Sequence, residues 1–203
     1  MRRSAFRSDR GQTLPIYIWL TGILLFVAFA FFAFAQAASA RNGAQSAADA
    51  AALAAAQESR DDLVEGLGLS IGQGDDWLDW LTGYEITGMG TAQAAADTLA
   101  AENDSRTRGV EPVEVKGYPG FRVAIETNYT VGDSIIPGTE TRHAKADATA
   151  VVKPRCHVDP SADPKKDVKF VCDGEGSFEI DPEEFDPDDL PDPSVLFSVH
   201  LVD

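Results

Sequence analysis

The chain has 203 residues, with 17 Lys and Arg against 33 Asp and Glu, a formal net charge of -16 and a pI near 4.4. That length allows one modest domain with appendages and excludes a large multi-domain enzyme, and the acidic balance excludes a nucleic-acid binder, whose phosphate partner needs a basic face. The charge is also divided: residues 1–41 hold five Arg and the single acid Asp9, for +4, whereas residues 42–203 hold the other 12 bases and 32 acids, for -20.

In chain order, a basic leader, residues 1–13, runs into a stretch that carries no charge from Gly11 to Ala40 and is densest in apolar residues from Leu14 to Ala35. About 20 apolar helical residues span a hydrocarbon core, so the spacing predicts a transmembrane helix. Tyr17 and Trp19 suit the headgroup region near its first end. The excess of Arg before the helix places the N-terminus in the cytoplasm and the acidic remainder outside, as a single-pass protein of the cell membrane. A second reading is open: Ala38-Ser39-Ala40 forms an A-x-A site, which would release a secreted acidic protein after Ala40.

The sequence from Arg41 to Gln57 lacks proline and is rich in Ala, so the helix is expected to continue to about residue 60 as an Ala-rich stalk. Gly43, Ala47, Ala51 and Ala55 recur at four-residue spacing, as do Ala40, Ala44, Ala48, Ala52 and Ala56. Such rows are smooth faces along which other helices can approach closely; a plain spacer is the alternative.

Three stretches carry a family resemblance: Asp9-Arg10-Gly11-Gln12, the apolar helix, and Asn42 to Ala54 with its AADAAALA core. Over about residues 9–58 the chain resembles the TadE/TadG-like proteins of tight-adherence (Flp) pilus systems. The resemblance implies a pilin-like plan and contacts with other pilus or secretion-system subunits through the long helix, with Gln45 and Asp49 as family-like positions. It also marks Gly11 and Gln12 as the candidate processing site. Ile16 stands where many pilin-like chains carry Glu, and Pro15 occupies the first helical turn, where its missing N–H is tolerated. Cleavage after Gly11 and an uncleaved anchor both stay open.

Residues 61–158 read as a small α+β head. Gly66, Gly68, Gly72 and Gly74 suggest a hinge between stalk and head. Gly68-Leu69-Ser70-Ile71-Gly72 formally matches a nucleophile elbow, but only a membrane helix lies upstream, leaving no sheet to carry it. Trp77, Trp80, Leu81 and Tyr84 form an apolar helical stripe expected in the core, and Thr91 to Asn103 a second short helix. Period-two alternation predicts strands over Phe121 to Val131 and Thr141 to Lys153, joined as a long-looped antiparallel hairpin with turn residues Gly132-Asp133 and Pro137-Gly138. Glu111 to Lys116 and Val195 to Val202 are candidate flanking strands.

Residues 159–203 form an acidic tail. Six prolines from Pro160 to Pro193 predict loop, with the C-terminal strand at its end. Asp173, Glu175, Ser177, Glu179, Asp181 and Glu184 fall at the offsets of a calcium loop, but Phe178 stands where such a loop needs Gly. His143, His157 and His200 have no zinc-ligand spacing. Cys156 and Cys172, both in the predicted exterior part, are expected to form a disulfide. No catalytic residue, metal, cofactor, nucleic acid or small-molecule substrate is expected. The reading is a structural pilin-like or pilus-assembly component whose partners are the bilayer and other subunits. A membrane-tethered extracellular binding module is the alternative.

Overall fold

The computed structural model describes residues 13–81, 89–132 and 141–202. Its first element is a single helix, α1 (Thr13–Ser70), of 58 residues. At 1.5 Å per residue it is about 87 Å long. It runs some ten residues beyond the expected end, so Gly66 and Gly68 are helical and form no hinge. A Cβ at Gly66 would collide with the ring of Trp80, which packs directly on the helix backbone there. The helix stops where Gly72 takes a φ of +75°, the left-handed conformation that ends helices.

The head is built around the upper half of α1. Two shorter helices follow, a single turn α2 (Trp77–Trp80) and α3 (Met89–Glu102). Four antiparallel strands form the main sheet: β1 (Ser105–Val115), β2 (Tyr118–Thr130), β3 (His143–Pro154) and β7 (Phe197–Val202), in the order β1-β2-β3-β7. A two-residue turn, Lys116 at φ +55° and Gly117 at +82°, joins β1 to β2. Positive φ at both central residues gives that turn the twist a hairpin needs. β1 begins six residues earlier than its alternation suggests, because the register shifts between Thr107 and Gly109 and so interrupts the period of two. The expected long-looped hairpin is formed by β2 and β3. Its proposed turn residues from 133 to 140, and Tyr84 of the aromatic stripe, lie outside the described residues.

Both α1 and α3 pack on one face of this sheet, α1 along β2, β3 and β7, and α3 along β1. Phe121, Val123 and Ile125 of β2 and Ala148, Ala150 and Val152 of β3 point into the shared core. Full burial of one such Phe or Val contributes roughly 1.5–3 kcal/mol. Ala92, Ala96 and Ala100 give α3 a small buried face toward α1. Alanine on both helices lets the backbones come close. Where the β2–β3 ladder slips after Glu126, the fully buried Thr127 hydroxyl repairs it, donating to the Tyr129 carbonyl at 2.7 Å and accepting from the Ala144 N–H at 3.1 Å.

The acidic tail is more ordered than its prolines imply. It contributes to a second sheet, β4 (Cys156–Val158), β5 (Val168–Cys172) and β6 (Gly176–Ile180), in that order. Residues 165–181 contain no proline, and Val168, Phe170 and Cys172 alternate inward to join Leu63, Leu67, Ile71 and Trp77 in the core. Phe170 and Phe178 stack with ring centroids 5.6 Å apart. Trp77 donates its indole N–H to the Pro164 carbonyl at 2.9 Å, which ties α2 to the tail.

Five Asp-Pro steps govern the connecting turns. Asp159, Asp163, Asp181, Asp186 and Asp192 each precede a proline, and each accepts the N–H of the residue two positions on, at 2.8–3.1 Å. The proline cannot offer an N–H of its own and holds the turn open, so the carboxylate reaches the next donor. Asp186 and Asp192 thereby cap a 3-10 turn (Pro187–Asp189) and the one-turn helix α4 (Pro193–Leu196). Five of the tail's acids are therefore structural.

Candidate functional site

The long helix is two objects end to end. From Leu14 to Phe34 every large apolar side chain is exposed, and no described part of the head covers them. This helix is long and apolar enough to cross a membrane. From Ala40 upward the environment reverses: Ala44, Ala47, Ala48, Ala51, Ala52, Ala55 and Ala56 are all buried. The exposed part, Leu14 to Ala35, measures about 33 Å at 1.5 Å per residue, which matches a hydrocarbon core.

That reversal changes the role of the small-residue rows. Ala47, Ala51 and Ala55, expected to accept helices of other subunits, lie inside the chain's own core against α3 and the sheet. The segment read as a stalk is the central helix of the head. Gly43 heads the same row for a reason of its own: a Cβ there would collide with the phenol oxygen of Tyr129, which closes the lower end of the sheet onto α1. Just below, Gly132 sits against the Gln36 side chain, so the described part of the head reaches the top of the uncovered helix.

Gln45, exposed, and Asp49, half-buried, stand on α1 beside the sheet. With Arg122, Asp147, Thr149 and Leu201 they line a polar cleft of about 470 Å³. Gln45 Nε2 donates to Asp49 Oδ1 at 2.8 Å and approaches the Asp147 carbonyl at 3.5 Å. Arg122 clasps the Asp147 carboxylate from the next strand, with nitrogens at 3.1 and 2.6 Å. The cleft exists because β7 pairs with β3 only from Thr149 upward, which leaves the lower edge of β3 without a strand among the described residues. Gln45 covers part of that edge from the helix.

The remaining candidates are separate from the cleft. Gly11 and Gln12 lie outside the described residues. Cys156 and Cys172 face one another across β4 and β5 and form the expected disulfide, with Cα atoms 3.9 Å apart. His143 Nδ1 lies 3.1 Å from the Tyr129 carbonyl oxygen, and His157 is 4.0 Å from Asp173 at the surface. The calcium-loop offsets fall on a hairpin, with Ser177 and Glu179 in β6 and Glu179 paired to Lys169 at 3.2 Å. Among the described residues no three His, Cys, Asp or Glu side chains converge to hold a metal.

An apolar helix that continues as the core of a small antiparallel-sheet head defines an α+β architecture. Residues 11–58, about a quarter of the chain, match the family model described as "Putative Flp pilus-assembly TadE/G-like". The matched segment takes in the uncovered apolar half of α1, the Gly43 contact, the cleft residues Gln45 and Asp49, and most of the buried Ala rows. No curated protein and no solved structure matches the chain.

Proposed function

We propose that this protein is a structural, pilin-like component of a Tad/Flp-type pilus or secretion system, without catalytic activity of its own. Its apolar half-helix anchors it in the cell membrane, the Arg-rich end lies in the cytoplasm, and the acidic head stands outside. The observation that carries the reading is the coincidence of the family match with one physical unit. From Thr13 onward the matched residues lie in one helix whose lower half suits an apolar solvent and whose upper half organises the head. The buried Ala rows support a narrower account of assembly than their spacing suggests. Contacts with other subunits are left to the apolar half-helix and to the outside of the head.

The test is isolation of the tagged full-length chain from membranes after cross-linking. Recovery of a secretion ATPase and polytopic platform proteins would support the reading. A chain found only free in the membrane would sink it in favour of a tethered binding module. Whole-protein mass in the same preparation identifies the processing. A start at Gln12 means cleavage after Gly11, a start at Arg41 means release from the membrane, and a start at Met1 means an intact anchor.

A further inference from the structure

The main sheet has a second face, turned away from α1 and α3, and its charge is opposite to that of the molecule. Three cations converge on one carboxylate there: Arg106 at 3.1 Å, Arg108 at 3.4 Å and Lys145 at 3.8 Å all surround Glu126. Register explains the convergence, since Arg106, Glu126 and Lys145 stand in one row across β1, β2 and β3. The shift at Thr107–Gly109 adds Arg108 to the same side. Glu126 is 14% exposed beneath them, whereas the cations are 55%, 49% and 57% exposed, with donors to spare. The neighbouring Arg122 is neutralised by Asp147, and by register Lys153 and Glu111 cancel on the same face. Among the described strand residues of this face two positive charges therefore stay in excess, on a part of the chain whose sum is -20.

The opposite feature lies at the far end of the head. From Asp181 to Asp192 the chain carries seven exposed acids and no Lys or Arg. This strap crosses the end of α1, with Pro182 against Gly72, and Pro187 and Leu190 against Gly68. Its prolines and Asp-capped turns hold it in shape before any partner arrives. It cannot reach the basic face of its own chain. The cleft level on α1, at Gln45, and the strap level, at Gly68, are separated by 23 residues, about 35 Å of helix.

We propose that the outer face of the β1–β2–β3 sheet docks the Asp181–Asp192 strap of a second copy of this chain. The argument for that occupant is charge complementarity. Two acidic heads repel in most orientations, and this pairing joins a surplus of cations to a run of seven exposed carboxylates, of which Glu183, Glu184, Asp188 and Asp189 cap none of the five Asp-Pro turns. A lipid surface is a poorer fit, because Glu126 on β2 stands six residues before Gly132, which lies beside Gln36 at the top of the uncovered helix, and six extended residues span about 20 Å. The contact joins different patches on the two copies, so it does not close on itself as a two-fold dimer would; repetition generates an open row with an axial step of about 35 Å. The inference rests on the assembly role proposed above, since it supplies the contact by which copies of the head would meet outside the membrane.

The experiment uses the full-length chain in detergent micelles at low salt, with a photoreactive benzophenone side chain at position 124, in the middle of the basic face. The expected product is a cross-linked dimer whose adduct maps to residues 181–192. Reversing Asp188 and Asp189 to Arg, which leaves the sheet untouched, should lower its yield about tenfold, as should Arg106→Gln with Arg108→Gln. Arg106→Glu with Arg108→Glu should do the same alone and recover the dimer when combined with the Asp188 and Asp189 reversals. Adducts to lipid, adducts to another region, absence of a dimer, or failure of the combined reversal to recover it would each overturn the proposal. Recovery of secretion-system partners in the membrane isolation would leave the broader assembly reading standing in that event. Loss of those partners with the dimer intact would overturn the broader reading alone.

Discussion

The phenol of Tyr129 rests on the helix backbone at Gly43, so closely that a methyl group at that position would occupy the place of its hydroxyl. This one contact closes the lower edge of the sheet onto the helix just above its uncovered half. It gives a glycine in the middle of an Ala-rich helix a physical reason to be there. Gly43→Ala gains roughly 1 kcal/mol of helix propensity and is expected to lose about 1–3 kcal/mol to overpacking, for a net loss. In a Tyr129→Phe background the loss should vanish, because the ring carbon lies at ordinary contact distance, 3.5 Å. Thermal unfolding of the full chain in micelles, read as a double-mutant cycle, checks this. Equal effects of Gly43→Ala in both backgrounds would contradict the contact.

Ala51→Phe tests the placement of the Ala rows. Ala51 is fully buried between the sheet and α3, so the substitution is expected to destabilise by about 1–3 kcal/mol or to prevent folding. Ser46→Phe, on the exposed side of the same helix, should change stability by less than about 0.5 kcal/mol. Proteolysis rates of the two variants in native membranes separate the outcomes. Equal resistance would mean that the upper helix stands clear of the head.

The disulfide closes a short loop at the end of the head farthest from the apolar helix. Replacing Cys156 and Cys172 with Ser should cost about 3 kcal/mol by the chain-entropy relation. Loosening should concentrate in β4, β5 and β6, with the main sheet retained, because the bridge joins two strands of the second sheet only. Hydrogen exchange resolved by segment reads the difference. Two thiols alkylated in the native protein without reductant would contradict the bridge.

The turns of the tail predict a pH window. The Ser161 and Ser194 hydroxyls, with the backbone N–H groups of the same residues, hold Asp159 and Asp192 below their ordinary 3.8; Lys166 is the first cause for Asp163, followed by the Lys165 N–H. A carboxylate whose pKa is depressed by folding stabilises the native state above about pH 4, and that stabilisation is lost as pH falls through the folded value. Lys165, raised above 10.5 by Asp75, behaves oppositely, and its contribution is lost in strong alkali. The tail should therefore keep constant stability from about pH 5 to 10 and loosen below about 4. Asp192→Asn, which keeps an acceptor without a charge, should weaken the acid limb in a melting series. An unchanged limb in a combined Asp159, Asp163 and Asp192 to Asn variant would contradict the assignment.

Legibility varied along the chain for identifiable reasons. The uncharged stretch, the alternation of β2 and β3, the inward side of the Trp77 turn and the cysteine pair are local patterns, and local patterns can be read. The lower half of β1 was hidden by one shift at Arg108, and the final turns of α1 by two glycines that usually signal a break. The second sheet was hidden by prolines that border it without entering it. The sequence does carry one signal for the tail's order: five Asp-Pro steps, each a turn with its own cap. The cleft at Gln45 and Asp49 had no local signal, because it depends on where β7 stops pairing with β3.

From the sequence by itself came the length and position of the apolar helix, the split of charge across it, and the likeness of its flanks to a pilus-assembly family. Each of these is a property of consecutive residues, set by transfer from water and by helix propensity over one segment. Only the tertiary structure decided what the Ala-rich half is for. Small side chains permit close approach without naming the partner, and here the partner is the chain's own sheet and α3. The same packing leaves the outer sheet face as the place where the acidic molecule turns basic, because strand register, rather than sequence order, brought Arg106, Arg108 and Lys145 together around Glu126.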